Sequence, residues 1–129
     1  MLKIGMVGTA TVTVNEDNTA KKVGSGLLPV FSTPSMIALL EMAACNCVSA
    51  SLEEGNSSVG TLINVKHLAA TPIGMTVTAT ATLTEIDGRR LVFDISVSDE
   101  STLIGSGTHE RFIVLSEKFL EKTNAKLKK

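Results

Sequence analysis

Residues 31–48 read FSTPSMIALLEMAACNCV, a helix-forming stretch with one charged side chain, Glu41, among small and aliphatic ones. Thr33 followed by Pro34 predicts its start. A threonine hydroxyl can accept from an orphan backbone N–H, and proline at the first helical position loses nothing, because its missing donor has no partner there. From Pro34 the pattern stays helical to about Leu52 and closes near Gly55. On a wheel, Met36, Leu39, Leu40 and Ala43 make one side and Ile37, Ala38, Ala44 and Cys45 another, so the first turns are apolar nearly all round. A helix of that kind is buried.

The rest of the chain supplies strands to bury it. Residues 6–14, MVGTATVTV, alternate and are rich in β-branched side chains, which predicts a first strand ending at the turn residues NEDN. Residues 20–30, AKKVGSGLLPV, follow neither period and read as a loop or short ordered segment where substrate could enter. After EEGNSS come four more strands. In 59–67, Val59, Thr61, Ile63, Val65 and His67 share a face; in 75–85, Met75, Val77, Ala79, Ala81 and Leu83 do, opposite an unbroken row of threonines. Asp87-Gly88 predicts a hairpin that returns along Leu91, Phe93, Ile95 and Val97. The last strand, about 102–115, contains Gly105 and Gly107, which point to a bulge or a close backbone approach. A lysine-rich tail from about residue 120 to 129 closes the chain as a frayed helix. The expectation is one α+β domain over 1–129, an antiparallel sheet wrapped around one long central helix. A helix apolar on all sides needs more cover than one sheet gives, so a second subunit is expected: a homodimer.

Composition narrows the partners. With 43% hydrophobic and 19% charged residues and a net charge of −1, the chain lacks the basic excess that a phosphate backbone demands. Nucleic acid is not expected. No apolar run reaches the roughly 18 to 20 residues of a membrane span, and the first residues lack the pattern of a secretory signal, so membrane association is not expected and a cytoplasmic location is. Cys45 and Cys47 would point about 200° apart on a helix, which suits small core residues in a reducing compartment better than a metal pair or disulfide.

Three polar residues stand out against this apolar frame. Glu41 has only Ile37, Ala38, Ala44 and Cys45 three and four residues away, so its own helix offers it no cation. It either sits on a narrow solvent edge or borders a cleft where the helix meets the sheet or a second subunit. His67 ends a strand whose face is otherwise mostly apolar and directed at the helix layer; the plain reading is a core histidine, the functional one a partner for the acid. Thr33 adds a hydroxyl beside free backbone N–H groups at the helix start. Hydroxyl, carboxylate and imidazole are the parts that activate water or attack a carbonyl. His109 alternates with Arg111 and reads as a polar surface residue of an edge strand, with phosphate contact as the alternative. The GSG runs at 24–26 and 105–107 lack the helix and lysine of a nucleotide loop. Lys21, Lys22, Arg89 and Arg90 read as solvated loop charges, with phosphate contact as the alternative.

The segments VFSTPSMIALLEMAA, SVGTLINVKHLAATPIGMTVTATATL, DGRRLVFDISVSD and IGSGTHERFIV, in that order over about residues 25–119, resemble the single-domain hotdog-fold thioesterases typified by fluoroacetyl-CoA thioesterase. The resemblance implies a hotdog fold and a dimer, with pairing of two dimers into a tetramer as an alternative. It also implies metal-free hydrolysis of an acyl-CoA thioester at the subunit interface, without a cofactor, since coenzyme A is part of the substrate. By the same resemblance Thr33, Glu41 and His67 fall on the catalytic positions, and Gly60, Arg111 and Phe31 on positions that contact substrate. His67 is then the proton-transfer group, Glu41 the nucleophile or base, and Thr33 the group that orients the pair. The type enzyme carries an aromatic lid, whereas residues 20–30 have no aromatic side chain before Phe31, so fluorine discrimination is not part of what is implied. A non-catalytic acyl-CoA-binding dimer and a hotdog hydratase are the competing expectations.

Overall fold

A computed structural model describes residues 1–128. Five strands form one antiparallel sheet: β1 (Val7–Thr13), β2 (Asn56–His67), β3 (Thr76–Asp87), β4 (Arg90–Ser98) and β5 (Leu103–Leu115), in the spatial order β1-β3-β4-β5-β2. A helical turn, α1 (Ala20–Val23), precedes the long helix α2 (Thr33–Val48), and α3 (Ser116–Asn124) follows the sheet. The curled sheet holding one long helix is the hotdog arrangement the sequence led us to expect.

The start of α2 differs from expectation by one residue. Ser32, in extended conformation, is the cap: its Oγ accepts the Ser35 N–H at 3.1 Å, and Thr33 is already helical. Two adjacent hydroxyls could each have done this, and the one taken leaves the other free. The helix ends at Val48 and tightens into a single 3-10 turn, Ser49–Ser51, short of the expected Leu52; Gly55 then turns the chain at φ 85°.

Within one chain α2 is buried on one side. Met36, Leu39, Leu40, Ala43, Ala44, Cys47 and Val48 are buried, while Ala38 and Met42 are exposed. The buried stripe packs on alternate residues of the central strands, Val77, Ala79, Ala81 and Leu83 of β3 and Leu91, Phe93, Ile95 and Val97 of β4. Full burial of each larger aliphatic side chain there contributes about 1.5–3 kcal/mol relative to exposure. Gly8 lets β1 lie directly on the helix, since a Cβ there would run into the backbone of Ala43 and Cys47. Cys47 donates to the Met6 carbonyl at 3.3 Å, and both cysteines are free.

Strand β2 breaks the alternation read from its sequence. Its pairing with β5 slips between Gly60 and Leu62, so Thr61 is the extra residue of a bulge. Beyond the bulge Ile63, Val65 and His67 are partly buried as expected, but before it Ser58 and Gly60, not Val59 and Thr61, lie beside the inward Arg111 and Glu41. The glycines of β5 do what their type suggested. A Cβ on Gly105 would lie 2.9 Å from Met36 Sδ and 3.1 Å from the Lys66 carbonyl, and one on Gly107 would collide with the Asn64 carbonyl. Helix and neighbouring strand can therefore approach β5 closely. The tail is helical from Ser116 and buries nothing; Lys129, part of the expected tail, lies outside the described residues. Among the described residues no helix is long and apolar enough to cross a membrane.

Candidate active site

The start of α2 and the end of β2 meet at one point. Thr33 Oγ1 lies 2.8 Å from His67 Nδ1, a bond made possible because Ser32 has taken over the capping role. His67 Nε2 is buried and has no hydrogen-bond partner among the described residues. Burial holds this imidazole below the usual 6.5, partly offset by the backbone of Ala69, so the ring is neutral at pH 7. A neutral ring has one N–H and one lone pair, and with Nδ1 occupied by Thr33 the free Nε2 is the atom left for chemistry. Thr33, His67, Phe31, Val30 and Ala69 line a cleft of about 360 Å³. Phe31 is fully buried at its wall, pinned by the bond from its N–H to the Thr71 carbonyl at 2.9 Å.

Glu41 stands in a different place. It sits eight residues along α2 from Thr33, about 12 Å along the axis, and lines a smaller pocket of about 170 Å³ with Gly60, Leu62, Ile63 and His109. Its side chain is 42% exposed, and its Oε2 lies 4.0 Å from Arg111 Nη1. Arg111 is buried and held firmly: Nε donates to Ser58 Oγ at 2.8 Å and Nη2 to the Ser58 carbonyl at 2.9 Å, while Nη1 lies 3.2 Å from His109 Nε2. Gly60 leaves room for the carboxylate, because a Cβ there would be 2.6 Å from Glu41 Oε2.

The structure thus brings Thr33 to His67, and Glu41 to Gly60 and Arg111, but within one chain it does not bring the two groups together. His109 corrects an expectation. It is 1% exposed, because β5 is flanked on both sides by β4 and β2 and is no edge strand; its ring stacks on Phe93 at a centroid distance of 5.9 Å. The signal available in the sequence was its alternation with Arg111 and Ile113. Arg90, read as a solvated loop charge, is engaged instead by Glu110 at 2.9 Å and Glu85 at 3.0 Å on the sheet's outer face. Lys21 and Lys22 are exposed.

Comparison with known proteins bears on the family and the fold. The model of a family described as fluoroacetyl-CoA-specific thioesterase matches residues 14–117. A fluoroacetyl-CoA thioesterase of Streptantibioticus cattleyicolor is 47% identical over 97 residues, 75% of this chain and 70% of that protein. Among solved structures, one of the fluoroacetyl-CoA thioesterase superposes with a TM-score of 0.92 at 38% identity, covering 98% of both chains. A Thermus thermophilus thioesterase superfamily member superposes with a TM-score of 0.88 at 27% identity, covering 99% of this chain and 94% of that one.

Proposed function

The chain belongs to the fluoroacetyl-CoA-specific thioesterase family, and from that premise we propose that it hydrolyses a small acyl-CoA thioester to the free acid and coenzyme A as a homodimer. The observation that carries the chemistry is the 2.8 Å bond between Thr33 Oγ1 and His67 Nδ1, which leaves a neutral imidazole with a free, buried Nε2 at a cleft. In this reading Nδ1–H donates to Thr33, so Nε2 carries the lone pair and His67 is the proton-transfer group. Glu41 supplies the carboxylate, either as a base toward water or as a nucleophile toward the carbonyl. By both routes the water oxygen ends in the acid, the C–S bond breaks, and the proton passes to the sulfur of coenzyme A.

A dimer answers the separation of Glu41 from the other two. Among the described residues β2 is an edge strand of 12 residues paired only with β5, and its Gly60, Thr61, Leu62, Asn64 and Lys66 are exposed. A long free edge of that kind is a template for another strand. The exposed Ala38 and Met42 of α2 give the second copy an apolar surface to cover. Edge-to-edge pairing would then set the Glu41 pocket of one copy against the Thr33–His67 cleft of the other. No step calls for a metal or cofactor, and the site lies in a protein expected to work in the cytoplasm.

Thiol release from a panel of acetyl-, fluoroacetyl-, branched and aromatic acyl-CoAs tests the reaction. Binding of several without release of thiol from any would replace the enzyme with an acyl-CoA-binding protein. Glu41→Gln and His67→Ala should each lower turnover by about 10²-fold or more; full activity in both would mean the site is elsewhere. Sedimentation at several concentrations tests the dimer, and a monomer with full activity would remove the shared site.

A further inference from the structure

Arginine can only donate hydrogen bonds, and Arg111 Nη1 lies 3.2 Å from His109 Nε2. That nitrogen must therefore be the acceptor. The proton of the neutral ring is on Nδ1, which donates to the Leu62 carbonyl at 2.8 Å. Stacking on Phe93 fixes the plane of the ring, and the side chain is buried. His109 is thus a rigid acceptor with its tautomer set from behind by the bulged strand. Two of the three guanidinium nitrogens are already tied to Ser58, which fixes the planar group, so Nη1 is the nitrogen left to be shared between His109 and Glu41.

The consequence concerns Glu41, whose Oε2 stands 4.0 Å from that same Nη1, beyond hydrogen-bond reach. We propose that His109 is a positioning residue that takes up Arg111 Nη1 and so keeps Glu41 out of contact with it, leaving the carboxylate free to act while the guanidinium stays nearby as a fixed positive charge. Without the acceptor an Nη1 N–H loses its partner, and the flexible, partly exposed Glu41 carboxylate, not the clamped guanidinium, is the group that can swing in to take it. The pair then closes into a contact ion pair that occupies the lone pairs the reaction needs. This inference rests on the reading of Glu41 as a working carboxylate.

His109→Gln and His109→Asn separate the two functions of the ring. Glutamine can place an oxygen where Nε2 stood and still accept from Arg111; asparagine mimics Nδ1 and cannot reach it. The glutamine variant should retain most of kcat, while the asparagine variant loses on the order of 10- to 100-fold in kcat with KM little changed. Equal loss in both, in proportion to loss of folded protein, would show a merely structural histidine and overturn the proposal. The unaltered protein gives a check that needs no variant. Ring nitrogen-15 shifts should show His109 unprotonated at Nε2 and protonated at Nδ1, and a proton on Nε2 would overturn the arrangement outright. Should the unaltered protein release thiol from no acyl-CoA, the functional reading itself fails, and the nitrogen signals distinguish that from a wrong tautomer.

Discussion

Thr33 Oγ1 and His67 Nδ1 stand 2.8 Å apart, although 34 residues separate them in the chain. The bond joins the first turn of α2 to the last residue of β2, so helix and sheet must be docked before it can form. It exists because the capping of α2 falls to Ser32. One residue is spent on the helix and its neighbour is left for chemistry.

That division predicts opposite phenotypes for adjacent substitutions. Ser32→Ala removes the acceptor for the Ser35 N–H in a buried position and should cost about 1 kcal/mol of stability. Thr33→Ala removes a hydroxyl that the helix does not use. Urea unfolding should show it near the parent, while kcat/KM in thiol release falls by about 10²-fold. A Thr33→Ala protein that is destabilised yet fully active would reverse the assignment.

Gly60→Ala tests the position of the carboxylate. The added methyl would lie 2.6 Å from Glu41 Oε2 and 3.3 Å from His109 Cε1, and the carboxylate, at the end of a flexible and partly exposed side chain, is the group that moves. Stability should change by less than about 0.5 kcal/mol. Turnover should drop, because the oxygen is displaced from its place beside Arg111. Unchanged turnover would show that the location of Glu41 in this pocket has no bearing on the reaction.

Much of this architecture was legible in the sequence, and the misses in the sheet share one cause. The central helix, the Asp87-Gly88 hairpin and the alternation of β3 and β4 are local patterns, read from periods of 3.6 and 2. Thr33, Glu41 and His67 stood out as polar groups in apolar settings, and the pairing of Thr33 with His67 follows from where the helix starts and the strand ends. What stayed hidden depends on pairing between distant strands. The bulge after Gly60 keeps Val59 and Ile63 in the same numerical alternation while turning them to different faces, and only the register against β5 reveals it. His109 looks like an edge residue until β5 is known to lie between β4 and β2. The separation of Glu41 from Thr33 follows from the rise of a helix, about 1.5 Å per residue over the eight residues between them.

Gly8 offers a test of the packing rather than the site. A Cβ there would come within 2.6 Å of Cys47 Cα and closer still to the Ala43 carbonyl and the Cys47 amide, all backbone atoms that cannot rotate away. Gly8→Ala must push β1 off α2, and about 1–3 kcal/mol of stability should be lost in urea unfolding, by analogy with overpacked cores. A neutral result would place β1 further from the helix than the structure does.

Acid should destabilise the fold in two stages, and the sign follows from the direction of each shift. Burial lowers His67 below 6.5, and burial, then the nearby Arg111 charge, lowers His109, against opposing contributions from Leu62, Glu41 and Glu110. Below pH 6.5 the unfolded chain therefore binds protons that the folded one refuses, so stability is full above that pH and declines as pH falls toward the folded values. The slope in this window is at most about 1.4 kcal/mol per pH unit for each histidine. Glu110 is held below 4.5 chiefly by its bond to Arg90, so its contribution is present above that pH and is lost at lower pH, which gives the second stage. Unfolding by urea across pH 4 to 8 should show both, and His109→Gln should flatten the first. The acid limb of turnover belongs to the same window, since a protonated His67 has no lone pair for water. Stability that stays level from pH 8 to 5 would mean that the buried imidazoles are not held neutral, and the proton acceptor would have to be sought elsewhere.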